Sequence, residues 1–345
     1  MNVRIFAAIV YLCACATGVS AQGFAGLGQT TDGFDLPDPE TRFTFPADHG
    51  SHNTFRIEWW YVTANLETAD GTPYGIQWTL FRNALEPGGA DTDQAWMAHA
   101  AVSTPDGHHY AERFARGASG QAGVTASPFE AFIDEWQMVG PDLNDLRLTA
   151  QGTAFYYDLK LDADGPFILQ GDAGFSVKSE AGQASHYYSQ PFYQVTGTIT
   201  LKDGPVEVTG RAWLDREWSS QPLTATQTGW DWVSLHFDSG EKLMGYRLRD
   251  EDGSAYTVGT WITRDKEAVP LKPGQLTMTA AAHSDVEGRR VPTSWDIALP
   301  DYGVTITSSA IYPQSWMGTL VPYWEGPVDV TGSHPGIGYL EMSGY

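Results

Sequence analysis

Hydrophobic and polar positions alternate along most of the chain, and the alternation is broken at short intervals by Gly, Asp and Pro. Period 2 predicts strands, and the breaks predict tight turns. Arg56 to Leu66 and Tyr74 to Arg82 flank a loop at residues 67–73, and Ala95 to Ser103 and His108 to Ala115 flank Thr104-Pro105-Asp106-Gly107. Leu146 to Gln151 and Phe155 to Leu161 follow. Val195 to Leu201 turns through Lys202-Asp203-Gly204 into Val206 to Trp213, and Trp230 to Phe237 turns through Asp238-Ser239-Gly240 into Lys242 to Arg249. Tyr256 to Ile262, Gln275 to Ala281, Ser294 to Leu299 and Val304 to Ser308 continue the series. No stretch of about 12 residues carries a 3.6 period. The pattern predicts an all-β protein of antiparallel barrels or sandwiches. The chain is long for one small barrel, so two β domains are expected, 41–218 and 219–345, after an exposed Gly/Asp/Pro-rich lead-in at 22–40. The small polar run Ser219 to Thr228 is the candidate junction, a favoured place for a ligand cleft.

The same period assigns side chains to faces. In the first strand Glu58, Trp60, Val62, Ala64 and Leu66 share one face, while Trp59, Tyr61, Thr63 and Asn65 share the other. A carboxylate in an apolar row must be paired or face a cavity, so Glu58 is either an ion-pair partner of Arg56 or Arg82 or a site residue beside Trp60. Gln77 and His99 are candidates for ligand contact or for satisfied core polar groups. Arg211, Trp213, Asp215 and Glu217 alternate onto one face; two carboxylates spaced this way have Cβ atoms about 7 Å apart and could act as acid and base, or could form an Arg–carboxylate lattice. Trp230, Trp232, Ser234 and His236 share a face, opposite Asp231, which falls among Val233, Leu235 and Phe237. His236 is a candidate proton shuttle or a strand-end hydrogen-bonding group. Tyr187 and Tyr188 lie in Ser185-His186-Tyr187-Tyr188-Ser189-Gln190-Pro191, which reads as a polar aromatic loop at a cavity mouth or as strand-end packing. Tyr246 joins them as a candidate wall residue.

The opening residues carry one basic side chain, Arg4, an apolar stretch from Ile5 to about Val19, and Val19-Ser20-Ala21. This is the pattern of an export signal cleaved after Ala21, with lipid attachment at Cys15 as the weaker alternative. A periplasmic or secreted location is expected, with no transmembrane segment after cleavage. Both cysteines, Cys13 and Cys15, fall in this segment, which leaves the remainder without disulfide, thiol nucleophile or thiolate ligand. A net charge of −22 speaks against nucleic acid and anionic lipid as partners. No metal, phosphate-loop or dinucleotide motif is present, and no cofactor is expected. The 13 tryptophans point to an aromatic-lined interior or cleft.

Several blocks together resemble the AttH-like proteins: Glu58-Trp59-Trp60-Tyr61 with Gln77-Trp78-Thr79-Leu80-Phe81-Arg82, Trp213 to Trp218 with Gly229-Trp230-Asp231-Trp232, and the closing Gly338 to Tyr345. The resemblance spans roughly residues 40 to 345. It implies a distant relation to carotenoid 1,2-hydratase (hydroxyneurosporene synthase) and to fungal lipocalin-like cyclases. It further implies two lipocalin-like β-barrel domains side by side, with a hydrophobic cavity within or between them. Members are often described as secreted hydrolases and accompany export-type ABC transporters. The hydratases carry a His/Trp and a Tyr/Asp pair that protonates an alkene; Asp215 and Asp231, near Trp213, Trp232 and His236, are loose counterparts here. The resemblance thus implies either acid catalysis on an apolar molecule or carriage of such a molecule for a transporter.

Overall fold

A computed structural model describes residues 31–345; the expected export signal and both cysteines lie outside the described residues. Two antiparallel sheets make up nearly all of it. The first runs edge to edge as Gly107–Arg116, Gln94–Thr104, Pro73–Ala84, Ile57–Glu67, Gly204–Ser219, Ala184–Leu201, Tyr156–Ala163, Asp145–Gln151, Trp136–Asp142, Phe129–Ile133 and Ala122–Ala126. The second runs Ala268–Pro270, Ala255–Ile262, Lys242–Asp250, Gln227–Phe237, Gly336–Ser343, Tyr323–Gly332, Val304–Ala310, Arg289–Leu299 and Thr277–Val286. Every strand up to Ser219 is in the first sheet and every strand from Gln227 is in the second. Among the described residues the only helical segments are short 3-10 turns, and no helix is long and apolar enough to cross a membrane.

Both sheets curl. Phe129, Ala131 and Ile133, near one end of the first sheet, share a buried core with Ala98, Val102 and Ala115 from the other end. In the second, Val286 and Val291 share a core with Leu243, Trp261 and Leu271 in the same way. The fold is therefore a pair of lipocalin-like barrels. Their interiors are packed with side chains: Trp60, Trp78 and Trp136 are fully buried in the first, and Trp295 and Trp324 in the second. Burying one such aromatic side chain is worth roughly 3 kcal/mol or more, so these fillings hold each barrel closed. A third apolar cluster, with Tyr61, Tyr187, Trp213, Trp232, Tyr246 and Tyr339, lies between the sheets and joins them.

One sequence expectation is corrected. Ser185 to Pro191 is not a loop; it belongs to the strand Ala184–Leu201. This segment pairs with Gly204–Ser219 on one side and with Ile168–Leu169 and Phe175–Val177 on the other. Both of its faces are buried, which removes the polar–apolar alternation that marks a half-exposed strand. The register slips between Gln190 and Tyr193, where Pro191 cannot donate to the ladder.

The sheets approach closely at Gly75. A Cβ there would stand 2.7 Å from the Pro327 ring and 2.9 Å from the Tyr339 hydroxyl, across the junction. Gly75→Ala is expected to destabilise the protein by about 1–3 kcal/mol through overpacking, read as a lower urea midpoint.

Candidate active site in the cleft between the sheets

The register of the first sheet lays two rows of side chains against the second. One row is Ser189, Asp215, Tyr61, Thr79, His99 and Glu112, each a cross-strand neighbour of the next. The adjacent row is Tyr187, Glu217, Trp59, Phe81, Met97 and Phe114. Neighbours in such rows lie about 5 Å apart, so a polar stripe runs beside an apolar one. The facing row of the second sheet is Tyr246, Trp232, Glu341 and Glu325. Between them is a cleft of about 130 Å3, lined also by Pro222 and Leu223 of the segment that joins the barrels.

Asp215 is buried at the cleft wall. One carboxylate oxygen accepts from Trp213 Nε1 at 2.7 Å and from the Ser189 hydroxyl, and the other accepts from Tyr187 Oη at 2.6 Å. Burial pushes its pKa up to about 7; the three donors pull it down and the neighbouring Glu217 pushes it further up. Across the cleft, desolvation likewise lifts Glu341 to about 7, against the hydrogen bond from Trp230 Nε1 (2.5 Å) and the pull of the nearby Tyr61 hydroxyl. Glu217 accepts from the Ser185 hydroxyl and pairs with Lys178 Nζ at 2.8 Å. That ammonium also lies 4.2 Å from the centre of the Tyr246 ring. Trp232 Nε1 reaches Tyr187 Oη at 3.3 Å, so the phenol is held by a donor from the second sheet and an acceptor from the first. His99 contacts Tyr323 Oη through Nδ1 at 2.9 Å and Glu112 through Nε2 at 3.1 Å, and burial lowers its pKa.

Of the residues singled out from sequence, Asp215, Glu217, His99, Tyr187, Trp230, Trp232 and Tyr246 line this cleft. Trp213 stands behind Asp215 as its donor. Gln77 is buried beside Tyr323 at 3.3 Å, off the cleft wall. His236 is buried edge-on to the Trp213 ring and does not reach the cleft; burial drives its pKa well below the usual value, so it stays neutral. Glu58 and Trp60 point the opposite way, into the first barrel, where Glu58 pairs with Arg82 and Arg216. Tyr188 also faces that barrel, bonded to His49 Nδ1 at 2.7 Å.

Asp231 lies on the barrel side of its strand, paired with Arg247 (3.0 Å) and Arg249 (2.5 Å) and accepting from Tyr345 Oη (2.8 Å). It clamps the open end of the second barrel and takes no part in the cleft. Burial raises the Asp231 pKa against the pull of both arginines, which keep partial access to solvent, so Asp231→Asn is expected to change stability by less than about 1 kcal/mol and to leave ligand affinity unchanged. Paired denaturation and binding curves check it.

Tyr61, Lys178, Tyr323, Glu325 and Glu341 escaped the sequence reading. Glu325 follows Tyr323-Trp324 in a strand of buried residues, the same acid-in-an-apolar-row signal that marks Glu58. Glu341 carries a weaker signal, since its strand is uniform in character and its partners come from distant segments.

Among solved structures, the chain is similar to an AttH protein of Nitrosomonas europaea, at 32% identity and a TM-score of 0.83 over 90% of this chain and 99% of that one. It also shares the fold of kievitone hydratase from Nectria haematococca, with a TM-score of 0.66 at 16% identity over 90% of this chain and 98% of that one. A search of curated proteins gives no match. The sequence model of the AttH-like family matches residues 36–345, nearly all that the structure describes. The chain belongs to the AttH-like family.

Proposed function

We propose that the protein binds an apolar, unsaturated small molecule in the cleft between its barrels and adds water across a carbon–carbon double bond. The observation that carries the reading is the pair Asp215 and Glu341. Asp215 is buried and Glu341 half-buried at the wall of an aromatic cleft, one on each sheet, and desolvation raises both pKa values to about 7. At neutral pH such a pair holds about one proton between its members, which supplies an acid and a base together. Glu341 gives its proton to the less substituted alkene carbon. The cation left on the neighbouring carbon lies against the faces of Trp59, Phe81, Trp230 and Trp232. Water attacks that carbon and gives its proton to Asp215, whose bonds from Tyr187, Ser189 and Trp213 stabilise the carboxylate beforehand. One proton enters and one leaves, so the product is the tertiary or secondary alcohol. The hydratase of the same fold agrees with such chemistry, and the reading has the protein act outside the cytoplasm after cleavage behind Ala21.

The test begins with mass spectrometry of the apolar compounds that copurify with the protein from envelope extracts. Those compounds are then incubated with protein in oxygen-18 water. Incorporation of one labelled hydroxyl, absent with Glu341→Gln, is the expected result; an unchanged ligand would sink the reaction.

A second reading is favoured by one feature. The Glu217–Lys178 pair makes part of the wall an internally neutralised surface, as a carrier that hands an apolar molecule to an export-type transporter would need. Recovery of the compound bound but never hydrated supports that alternative.

A further inference from the structure

Glu325 is buried, has no cationic partner among the described residues, and does not line the cleft. Its Oε1 accepts from Tyr61 and its Oε2 has no hydrogen-bond partner. An isolated buried carboxyl costs several kcal/mol unless it stays neutral. Burial, with the Glu341 charge adding to it, raises the Glu325 pKa well above the usual range, which keeps a proton on it. The reaction above gives this acid no role.

Its neighbours supply one. Tyr61 Oη donates to Glu325, and Glu341 is the cross-strand neighbour of Glu325 on the same sheet face. Tyr323 stands two residues before Glu325 on the same strand face. Tyr323 Oη is 2.9 Å from His99 Nδ1, and His99 Nε2 is 3.1 Å from Glu112. Glu112 sits on the edge strand Gly107–Arg116 with its side chain 22% exposed, held by the Leu320 amide at 3.0 Å. Tyr61–Glu325, Tyr323–His99 and His99–Glu112 are direct contacts, the remaining steps join neighbours on one sheet face, and every member can both give and take a proton.

We propose that Glu112, His99, Tyr323, Glu325 and Tyr61 form a proton relay that connects solvent at the edge of the first barrel with Glu341 in the cleft. The inference rests on Glu341 as the proton donor of the reaction proposed above. An apolar ligand that fills the cleft excludes the water that would otherwise recharge Glu341, and the relay supplies the alternative route. Once Glu341 has given up its proton, Tyr61 passes its hydroxyl proton to Glu341 and takes the one on Glu325. Tyr323 then recharges Glu325 and is recharged from His99 Nδ1. His99 takes a proton at Nε2 from Glu112, which takes one from water. One proton enters at Glu112 and one arrives at Glu341. Each intermediate group ends with its original count, and His99 ends as its other tautomer, which regains its Nδ1 proton by losing one at Nε2 and taking one at Nδ1 before the next turnover.

The test follows exchange of the Glu341 carboxylic proton for deuterium by rapid-mixing infrared spectroscopy, slightly below neutral pH. The band is assigned by its loss in Glu341→Gln. The cleft is empty or filled with 1-aminoanthracene, whose fluorescence reports occupancy. With the probe bound, wild type should still exchange rapidly. Glu325→Gln, which keeps size and hydrogen-bonding capacity, should slow exchange about tenfold or more with the probe bound and leave it unchanged in the empty protein. Tyr323→Phe should do the same. Equal rates for Glu325→Gln and wild type with the probe bound would overturn the relay, and so would a wild type slowed as much as the variant. Overturning it in this way while Glu341→Gln abolishes hydration leaves the reaction standing. A relay found in a protein that hydrates nothing has the reverse meaning.

Discussion

Replacing Glu58 with alanine is expected to cost about 3–5 kcal/mol of stability, because it leaves two buried cations without their anion. Arg82 and Arg216 are both fully buried at the mouth of the first barrel, one on each oxygen of Glu58. Neither can escape to water. Arg82 is tied to the carbonyl of Phe55 at 2.8 Å, and Arg216 to that of Gly50 at 2.6 Å, with its guanidinium 3.9 Å over the Trp60 ring. Burial works to raise the Glu58 pKa, but Arg216 and Arg82 outweigh it and hold the group well below the usual carboxylate range. With the folded value depressed, the contribution to stability is complete above the ordinary glutamate pKa and is lost as pH falls below it. Urea titration of wild type and Glu58→Ala at neutral pH measures the difference. Equal midpoints would show that the cluster contributes nothing net. Converging curves on acidification are the second expected signature.

Asp215→Asn is expected to have two effects of opposite sense. Hydration should fall by about 10²–10⁴-fold, the usual contribution of a general acid or base. Stability above neutral pH should rise by about 1–3 kcal/mol. A carboxyl moved from 3.8 to about 7 by burial disfavours folding by at most ~4 kcal/mol once it is ionised in both states. The asparagine recovers most of this: its oxygen still accepts from Ser189 and Trp213, and its amide faces Tyr187 Oη, which can rotate to accept. The sign is fixed by the direction of the shift. Between pH about 4 and 7 the native state binds more protons than the unfolded chain, so wild-type stability falls as pH rises through that window. Glu341, lifted from 4.5 to about 7, contributes in the same direction. The variant should therefore show a flatter stability profile from acid to neutral pH, with the remaining slope due to Glu341. Unfolding midpoints at a series of pH values, beside an activity assay, check both parts; a variant less stable than wild type above neutrality would refute the ionisation cost.

The sequence determined a good deal of this site because strand periodicity is local. The pleat alone puts Asp215 and Glu217 on one face with Trp213, separates Asp231 from Trp230 and Trp232, and sets Glu58 and Trp60 apart from Trp59 and Tyr61. Turn residues likewise marked most hairpins. Tertiary structure alone decided which face is which. Glu58 and Asp215 look alike as acids in aromatic strands, but one faces a barrel interior with two arginines and the other faces the cleft with only neutral donors. Nothing within either strand carries that difference, since it depends on the direction in which each sheet curls. The same holds for Glu341 opposite Tyr61, Glu325 beside Tyr61, and Lys178 against Glu217, each pair brought together across many residues of chain. Alternation is set by bond geometry between adjacent residues, whereas register and the packing of one sheet on another are set by the burial of whole apolar faces.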